Sequence, residues 1–403
     1  MPEANIFEVP PTPRDELHRR LTALQRHLVA RDLDGALVTQ NVDLLYFTGS
    51  MQSGVLVVPA AGRPVYAVRR VLERARREST LEQIVPLTSF RDVPALARDA
   101  VGGDVRRVGM ALDVLPVLVR DRFASALGSV EIADISGPVR LIRAVKSAYE
   151  LEKMRDAARL SEAMLRVGLE HLHEGITELE LAGRVEAAAR REGHQGIVRV
   201  RGWNQEVYWG CLLSGESGAV TSFPDLPLAG EGLGPAMPYG SGRRRIVAGE
   251  PVVFDYTAAL DGYVCDQTRT LVIGVLPDRL QRAHDASVEI LKTVEAAIRP
   301  GVTPQDLYHL AVARARDLGY ADAFMGNGPL RARYIGHGVG LELDEWPVLA
   351  EGFTNPLEPG HVFCVEPKMV FPGEGAVGIE DEYAVTLDGA ERLTRPEQRL
   401  FTV

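Results

Sequence analysis

The chain of 403 residues is 46% hydrophobic and 25% charged, the profile of a globular protein with length enough for two cores, which excludes a fibrous or wholly disordered chain. Its 45 basic and 55 acidic residues leave a net charge of −10, which repels a nucleic-acid backbone; Arg190-Arg191 and Arg243-Arg244-Arg245 read as solvated helix face or loop. No apolar run reaches the ~18 residues of a membrane span, Met1 to Arg20 contains no apolar signal segment, and Cys211, Cys265 and Cys364 are an odd, widely spaced set without a CxxC pair, so the expectation is a cytoplasmic protein with reduced thiols.

Leu17, Leu21, Leu24 and Leu28 recur at helical spacing between Asp15 and Arg31, and the apolar run Gly35–Thr39 that follows reads as a buried strand. Strands are expected at Gly54–Pro59, Pro64–Val68 and Arg107–Ala111, and helices at Leu72–Arg77 and Val117–Leu127, which together make an α/β domain over residues 1–145. Ser147 with Glu150 three residues on has the form of a capping box and opens a long helix towards Leu172, placing a domain boundary there. Over 146–403, helices are expected at Thr177–Glu192, Leu280–Ala297 and Thr303–Leu318. Mostly antiparallel strands are expected within Ile197–Ser214, Pro251–Ile273 and His361–Thr386, so this half is α+β. Gly230–Gly242 reads as a loop.

Two hairpins carry the chemistry. Around Asp261-Gly262, a four-residue loop Ala259–Gly262 would set Asp255 directly opposite Asp266, where two like charges repel unless a cation lies between them. Around Pro372-Gly373-Glu374, a three-residue loop would set Glu366 opposite Glu380. One such pair is ordinary on the solvated face of an edge hairpin, but two pairs flanked by Val, Phe and Ile are costly to bury uncompensated and call for a divalent metal. His337 lies between them in Tyr334-Ile-Gly-His-Gly-Val-Gly-Leu-Glu342, where glycines let the backbone approach closely. One nitrogen ligand among carboxylates suits Mn, Fe, Co or Zn better than Mg or Ca, and two divalent ions would balance four carboxylates.

Asp255, Asp266, His337, Glu366 and Glu380 in this order, within the phrases Asp-Gly-Tyr-x-x-Asp-x-Thr-Arg-Thr, Gly-His-Gly-x-Gly-Leu-Glu and Ile-Glu-Asp, resemble the pita-bread metallohydrolases: aminopeptidase P, prolidase, methionine aminopeptidase and the metal-free creatinase. The resemblance covers nearly the whole chain and implies a creatinase-type N-terminal domain followed by a pita-bread catalytic domain. It also implies that Asp255 binds one of two metal ions, that Asp266 and Glu380 bridge both, and that His337 and Glu366 bind the other. Manganese is favoured among Mn, Co, Fe and Zn. A bridging water or hydroxide would be the nucleophile and Glu366 the proton shuttle. Thr268, two residues from Asp266 on the same strand face, is expected to support the ligands by a hydrogen bond, and Cys364 stands in the same relation to Glu366. A homodimer is implied, with Arg69 or Arg70 reaching a neighbouring subunit's pocket.

The peptidase accessories depart from that family pattern. Asp344 stands where the peptidases have a second histidine seven residues after the metal-binding one, Pro238 where another histidine precedes the first metal aspartate, and Gly378 where prolidase and aminopeptidase P have an arginine. Losing an oxyanion donor typically costs ~10²–10³ in turnover. Arg333 is a candidate for carboxylate capture, Asp344 for holding an amine or acting as an acid, and Arg201–Trp209 for aromatic pocket walls, with buried core the favoured place of both its tryptophans. The reading is a metal-dependent hydrolase of small peptides or amide-like compounds, Xaa-Pro peptidase-like. The alternative is a non-peptidase C–N hydrolase or lyase of a small carboxylated metabolite, and a binding protein without activity is disfavoured because all five ligands are present.

Overall fold

The computed structural model describes residues 9–403, so the reading of the first eight residues lies outside the described residues. The chain divides into two units, one ending at Arg143 and the other spanning Ala144–Val403.

In the first unit, the helix Arg14–Ala30 buries Leu17, Leu21, Leu24 and Leu28, the stripe its spacing dictates. A mixed six-stranded sheet follows the order Ile84–Pro86, Val65–Val68, Gly54–Pro59, Gly35–Val38, Arg107–Met110, Glu131–Asp134. Helix Val117–Leu127 packs Phe123 and Leu127 into a core with Leu37, Val57, Val108 and Met110. The helix Asn41–Thr48 has no counterpart in the sequence expectations. Gln40 opens it by accepting from Asp43 N at 2.7 Å, and most of its residues are buried, so no polar face gave it a period to read.

The second unit opens as expected. Ser147 Oγ accepts from Glu150 N at 3.2 Å while Glu150 Oε2 accepts from Ser147 N at 3.1 Å, and the helix Ala148–His171 runs from this box. It packs on the hairpin of Pro251–Leu260 and Tyr263–Val272, closely enough that a Cβ at Gly168 would lie 3.0 Å from the Phe254 ring. The helices Asp278–Ala297 and Pro304–Asp317 cover a core with Phe363, Val365, Met369 and Ile379. The strands form a four-stranded sheet, a five-stranded antiparallel sheet of Glu345–Ala350, Tyr334–Gly338, Val362–Val365, Asp381–Val385 and Ala390–Arg392, and the hairpin Lys368–Phe371 with Gly375–Gly378. This is the α/β plus α+β architecture expected of the chain.

Two expectations fail. Strand structure within Ile197–Ser214 is confined to Gly210–Ser214, because the β-rich residues before it find no neighbouring ladder. The first hairpin turns through two residues, not four: Asp261 (φ 51°) and Gly262 (φ 91°) both lie in the left-handed region that such a tight turn demands.

Candidate metal centre

That shorter turn moves the register. Asp255 faces Thr268, and Asp266 faces Thr257, so Asp255 and Asp266 are diagonal neighbours on one face and not directly opposed. The face is preserved because strand side chains alternate with a period of two. In the second hairpin Lys368 pairs with Gly378 and Phe371 with Gly375, the register of the expected three-residue loop, and Val365 pairs with Asp381 in the same register beyond Pro367. Glu366 and Glu380 sit in the gap between these two ladders. There each backbone leaves its partner: Glu366 N donates to Ile335 O at 2.9 Å, and Glu380 N donates to Thr268 O at 3.0 Å. The splay brings three strand systems to one point.

His337 enters from the strand Tyr334–Gly338. Its glycine neighbours are required by close approach, since a Cβ at Gly336 would strike Cys364 O at 1.9 Å and one at Gly338 would strike Trp346 O at 2.4 Å. His337 Nε2 lies 3.9 Å from Asp266 Oδ2, 3.7 Å from Glu366 Oε1 and 4.0 Å from Glu380 Oε1. The two glutamate oxygens are buried without a hydrogen-bond partner, a costly condition that a cation would relieve. Asp266, His337 and Glu380 thus offer one imidazole nitrogen and two carboxylate oxygens within 4.8 Å of one another, with Glu366 Oε1 beside the nitrogen, a donor set that fits a metal ion.

The opposite oxygens face a group that sequence reasoning missed. Lys368 Nζ lies 2.7 Å from Glu366 Oε2, 3.1 Å from Glu380 Oε2 and 3.3 Å from Asp255 Oδ2, with its side chain 3% exposed. Burial alone would lower its pKa, but Asp255, Glu366 and Glu380 outweigh burial and hold it well above the usual lysine value, so it is charged. The charge balance of four carboxylates against two divalent ions thus omitted a cation. A signal existed: a single lysine two residues after Glu366 in an apolar strand shares its face. Asp255 is pushed up by burial and by Glu380 against the pull of Lys368, and Asp266 is pushed well up by burial, Glu380 and Asp255.

Around this centre the supports are dense. Thr268 Oγ1 donates to Glu380 Oε2 at 2.8 Å, and Thr257 Oγ1 to Asp266 Oδ1 at 3.1 Å. His194 accepts from Gly196 N at Nδ1 (2.9 Å), which leaves Nε2 to donate to Thr257 O at 3.2 Å, and its ring stacks on Trp209 at 3.9 Å. Arg269, fully buried, donates to the carbonyls of Thr268 (2.9 Å), Glu380 (2.7 Å), Pro396 (2.9 Å) and Glu397 (3.1 Å) and pairs with Asp381 at 2.6 Å. All five of its N–H groups are used, which gives the Thr-Arg and Glu-Asp phrases a structural meaning.

The remaining candidates lie differently. Asp344 Oδ1 accepts from Arg201 N at 2.8 Å, tying the irregular Arg201–Trp209 segment to the turn after His337. Arg333 is exposed and forms no ion pair among those seen in the described residues. Cys364 is fully buried and its thiol is pushed well up by burial and nearby carboxylates. Trp209 is core, but Trp203 is 92% exposed, against the expectation that both are buried, because its segment lacks regular structure. Arg69 and Arg70 are exposed. Cys211, Cys265 and Cys364 are unpaired, and among the described residues no helix is long and apolar enough to cross a membrane.

The sequence profile of metallopeptidase family M24 matches residues 152–387, and that of the creatinase/prolidase N-terminal domain matches residues 20–145. The Xaa-Pro dipeptidase of Pyrococcus furiosus is 25% identical over 96% of this chain and 100% of its own. Among solved structures, dipeptidase PepE from Mycobacterium ulcerans is 27% identical with a TM-score of 0.79, covering 98% of this chain and 99% of its own. The Xaa-Pro dipeptidase from Bacillus anthracis, 24% identical, superposes with a TM-score of 0.82 over 96% of this chain and 100% of its own, a likeness of fold.

Proposed function

We propose that this chain, which belongs to metallopeptidase family M24 and is a metal-dependent hydrolase, cleaves Xaa-Pro bonds of small peptides. One observation carries the reading: Asp266, His337 and Glu380 bring a nitrogen and two oxygens within 4.8 Å of one another, Glu366 Oε1 lies 3.7 Å from the same nitrogen, and the two glutamate oxygens are buried without partners. A divalent ion held there would act as a Lewis acid towards a carbonyl oxygen and lower the pKa of a water. Glu366 is our candidate for the proton-moving group, its Oε1 lying buried and without a hydrogen-bond partner 3.7 Å from His337 Nε2. Thr257, Thr268 and Arg269 keep the ligand strands in place, and Asp344 positions the Arg201–Trp209 segment through the Arg201 amide. Arg333, exposed four residues before His337, is the candidate for a substrate carboxylate.

Manganese is the metal we favour, the oxygen-rich ligand set being hard with one imidazole. Unpaired cysteines support a cytoplasmic place, and the family resemblance supports a homodimer. A second reading, hydrolysis or lysis of a C–N bond in a small carboxylated metabolite, is favoured by Lys368 at the centre and by Asp344, a hydrogen-bond acceptor where the peptidases have a donor. The deciding experiment strips the protein of metal, reconstitutes it separately with Mn, Co, Fe and Zn, and follows Xaa-Pro dipeptides and tripeptides by mass spectrometry. Metal-dependent release of the N-terminal residue supports the peptidase; retained metal without cleavage of any peptide transfers the assignment to the second reading.

A further inference from the structure

We propose that Lys368 occupies the seat of one of the two metal ions, so that the centre takes a single ion, held by Asp266, His337, Glu366 and Glu380. The carboxylate oxygens are partitioned between two cations. Glu366 and Glu380 each turn Oε2 to the Lys368 ammonium and leave Oε1 near His337 Nε2. Asp266 turns Oδ2 to that same nitrogen, while its Oδ1 is taken by Thr257 Oγ1 at 3.1 Å and by Gln267 N at 3.0 Å. Asp255 Oδ2 faces the ammonium, 3.3 Å from Nζ.

The family pattern implies that the other ion would be held by Asp255, with Asp266 and Glu380 bridging, and it would stand about 2.0–2.2 Å from each oxygen it binds. Asp255 Oδ2 and Glu380 Oε2 already lie 3.3 Å and 3.1 Å from Nζ, so ion and ammonium would claim the same space, and two cations do not share it. The lysine is also built in from the other strand. Lys368 is the ladder partner of Gly378, and a Cβ there would lie 2.7 Å from Lys368 Cγ and 3.0 Å from its Cα. Glycine at 378, where prolidase and aminopeptidase P have an arginine, is what gives the lysine stem its path. Its three N–H groups are directed at three carboxylates, so Lys368 is a positioning residue that fixes the ligands and supplies charge, and not a donor free to meet a substrate.

The inference rests on the metal-centre reading but not on the substrate, and metal content separates the two. The full-length protein is stripped with a chelator, reloaded with Mn(II) or Co(II), desalted, and its metal per chain measured. About one ion per chain is expected for the wild type, with an isolated-ion Mn(II) electron paramagnetic resonance pattern, and about two for Lys368→Gly, in which three oxygens are freed. Two ions per chain in the wild type, an exchange-coupled Mn(II) pair, or no retained ion overturns the proposal. So does a folded Lys368→Gly protein that still holds one ion. The wild-type stoichiometry and spectrum stand even if that variant fails to fold, and a chain that retains one ion but cleaves no Xaa-Pro peptide leaves this inference standing while removing the peptidase.

Discussion

Thr268 and Glu380 are joined twice: the threonine hydroxyl donates to Glu380 Oε2 at 2.8 Å, and the Glu380 amide donates to the Thr268 carbonyl at 3.0 Å. The contact welds the long hairpin to the last ligand strand at the point where the strands splay. Thr268→Val keeps the shape and removes the hydroxyl. Metal affinity is expected to fall by about 10–100-fold, and Thr268→Ser to recover most of it. Titration of the stripped protein with Mn(II) measures this; unchanged affinity in the valine variant would remove the hydroxyl from the ligand support.

Arg269 holds the same junction from behind, with its guanidinium spread over four carbonyls and Asp381. Arg269→Met leaves Asp381 as a buried charge and orphans those carbonyls, so unfolding free energy should drop by about 3–5 kcal/mol. Arg155→Met, which breaks the part-exposed pair with Glu391, should cost no more than about 1 kcal/mol. Parallel urea denaturation of the two variants checks the contrast, and equal costs would contradict the assigned role of Arg269.

How much of this was legible before the structure depends on whether a residue's meaning is local. The faces of Asp255, Asp266, Glu366 and Glu380 follow from strand alternation, which survives the two-residue change in the first turn because the shift preserves parity. The turn length was misread although Asp261-Gly262 is itself the two-residue signal. Lys368 was legible only as a lone lysine on the face of Glu366, its burial depending on Gly378 across the ladder, and Arg269 was not legible because its partners are mostly backbone carbonyls, which carry no side-chain signature. Residues 197–209 show β-rich composition without a strand to pair with, a fact that only tertiary structure supplies.

Gly378 lends itself to a coupling measurement. Gly378→Ala places a methyl against Lys368 Cγ and Cα and should destabilise by about 1–3 kcal/mol through overpacking. In the Lys368→Gly background the same methyl meets no stem, so its cost should shrink. A double-mutant cycle on unfolding free energies reads the difference. Additive costs would show that the two residues do not constrain each other.

His284, on the helix Asp278–Ala297, is 1% exposed; neither ring nitrogen makes a hydrogen bond, and its nearest charged contact is Asp285 Oδ1 at 3.8 Å from Nδ1. Burial lowers its pKa from the ordinary 6.5 to about 4, with Asp285 opposing the shift and Arg269 aiding it. His361, pushed to about 4 by burial and by Lys146, accepts from Glu358 N at Nδ1 and behaves alike. Between pH 6.5 and 4 the unfolded chain therefore binds a proton at each site that the folded chain does not. Stability due to the neutral ring is full above the unfolded value and is lost as pH falls through this window, by about 3 kcal/mol for His284 alone. Below pH 4 both states bind that proton and the loss levels off. Urea denaturation at pH 7 and at pH 4.5 should show a smaller difference for His284→Leu than for the wild type, since leucine carries no proton in either state. An identical pH dependence in the two proteins would mean that His284 is not held neutral by its surroundings.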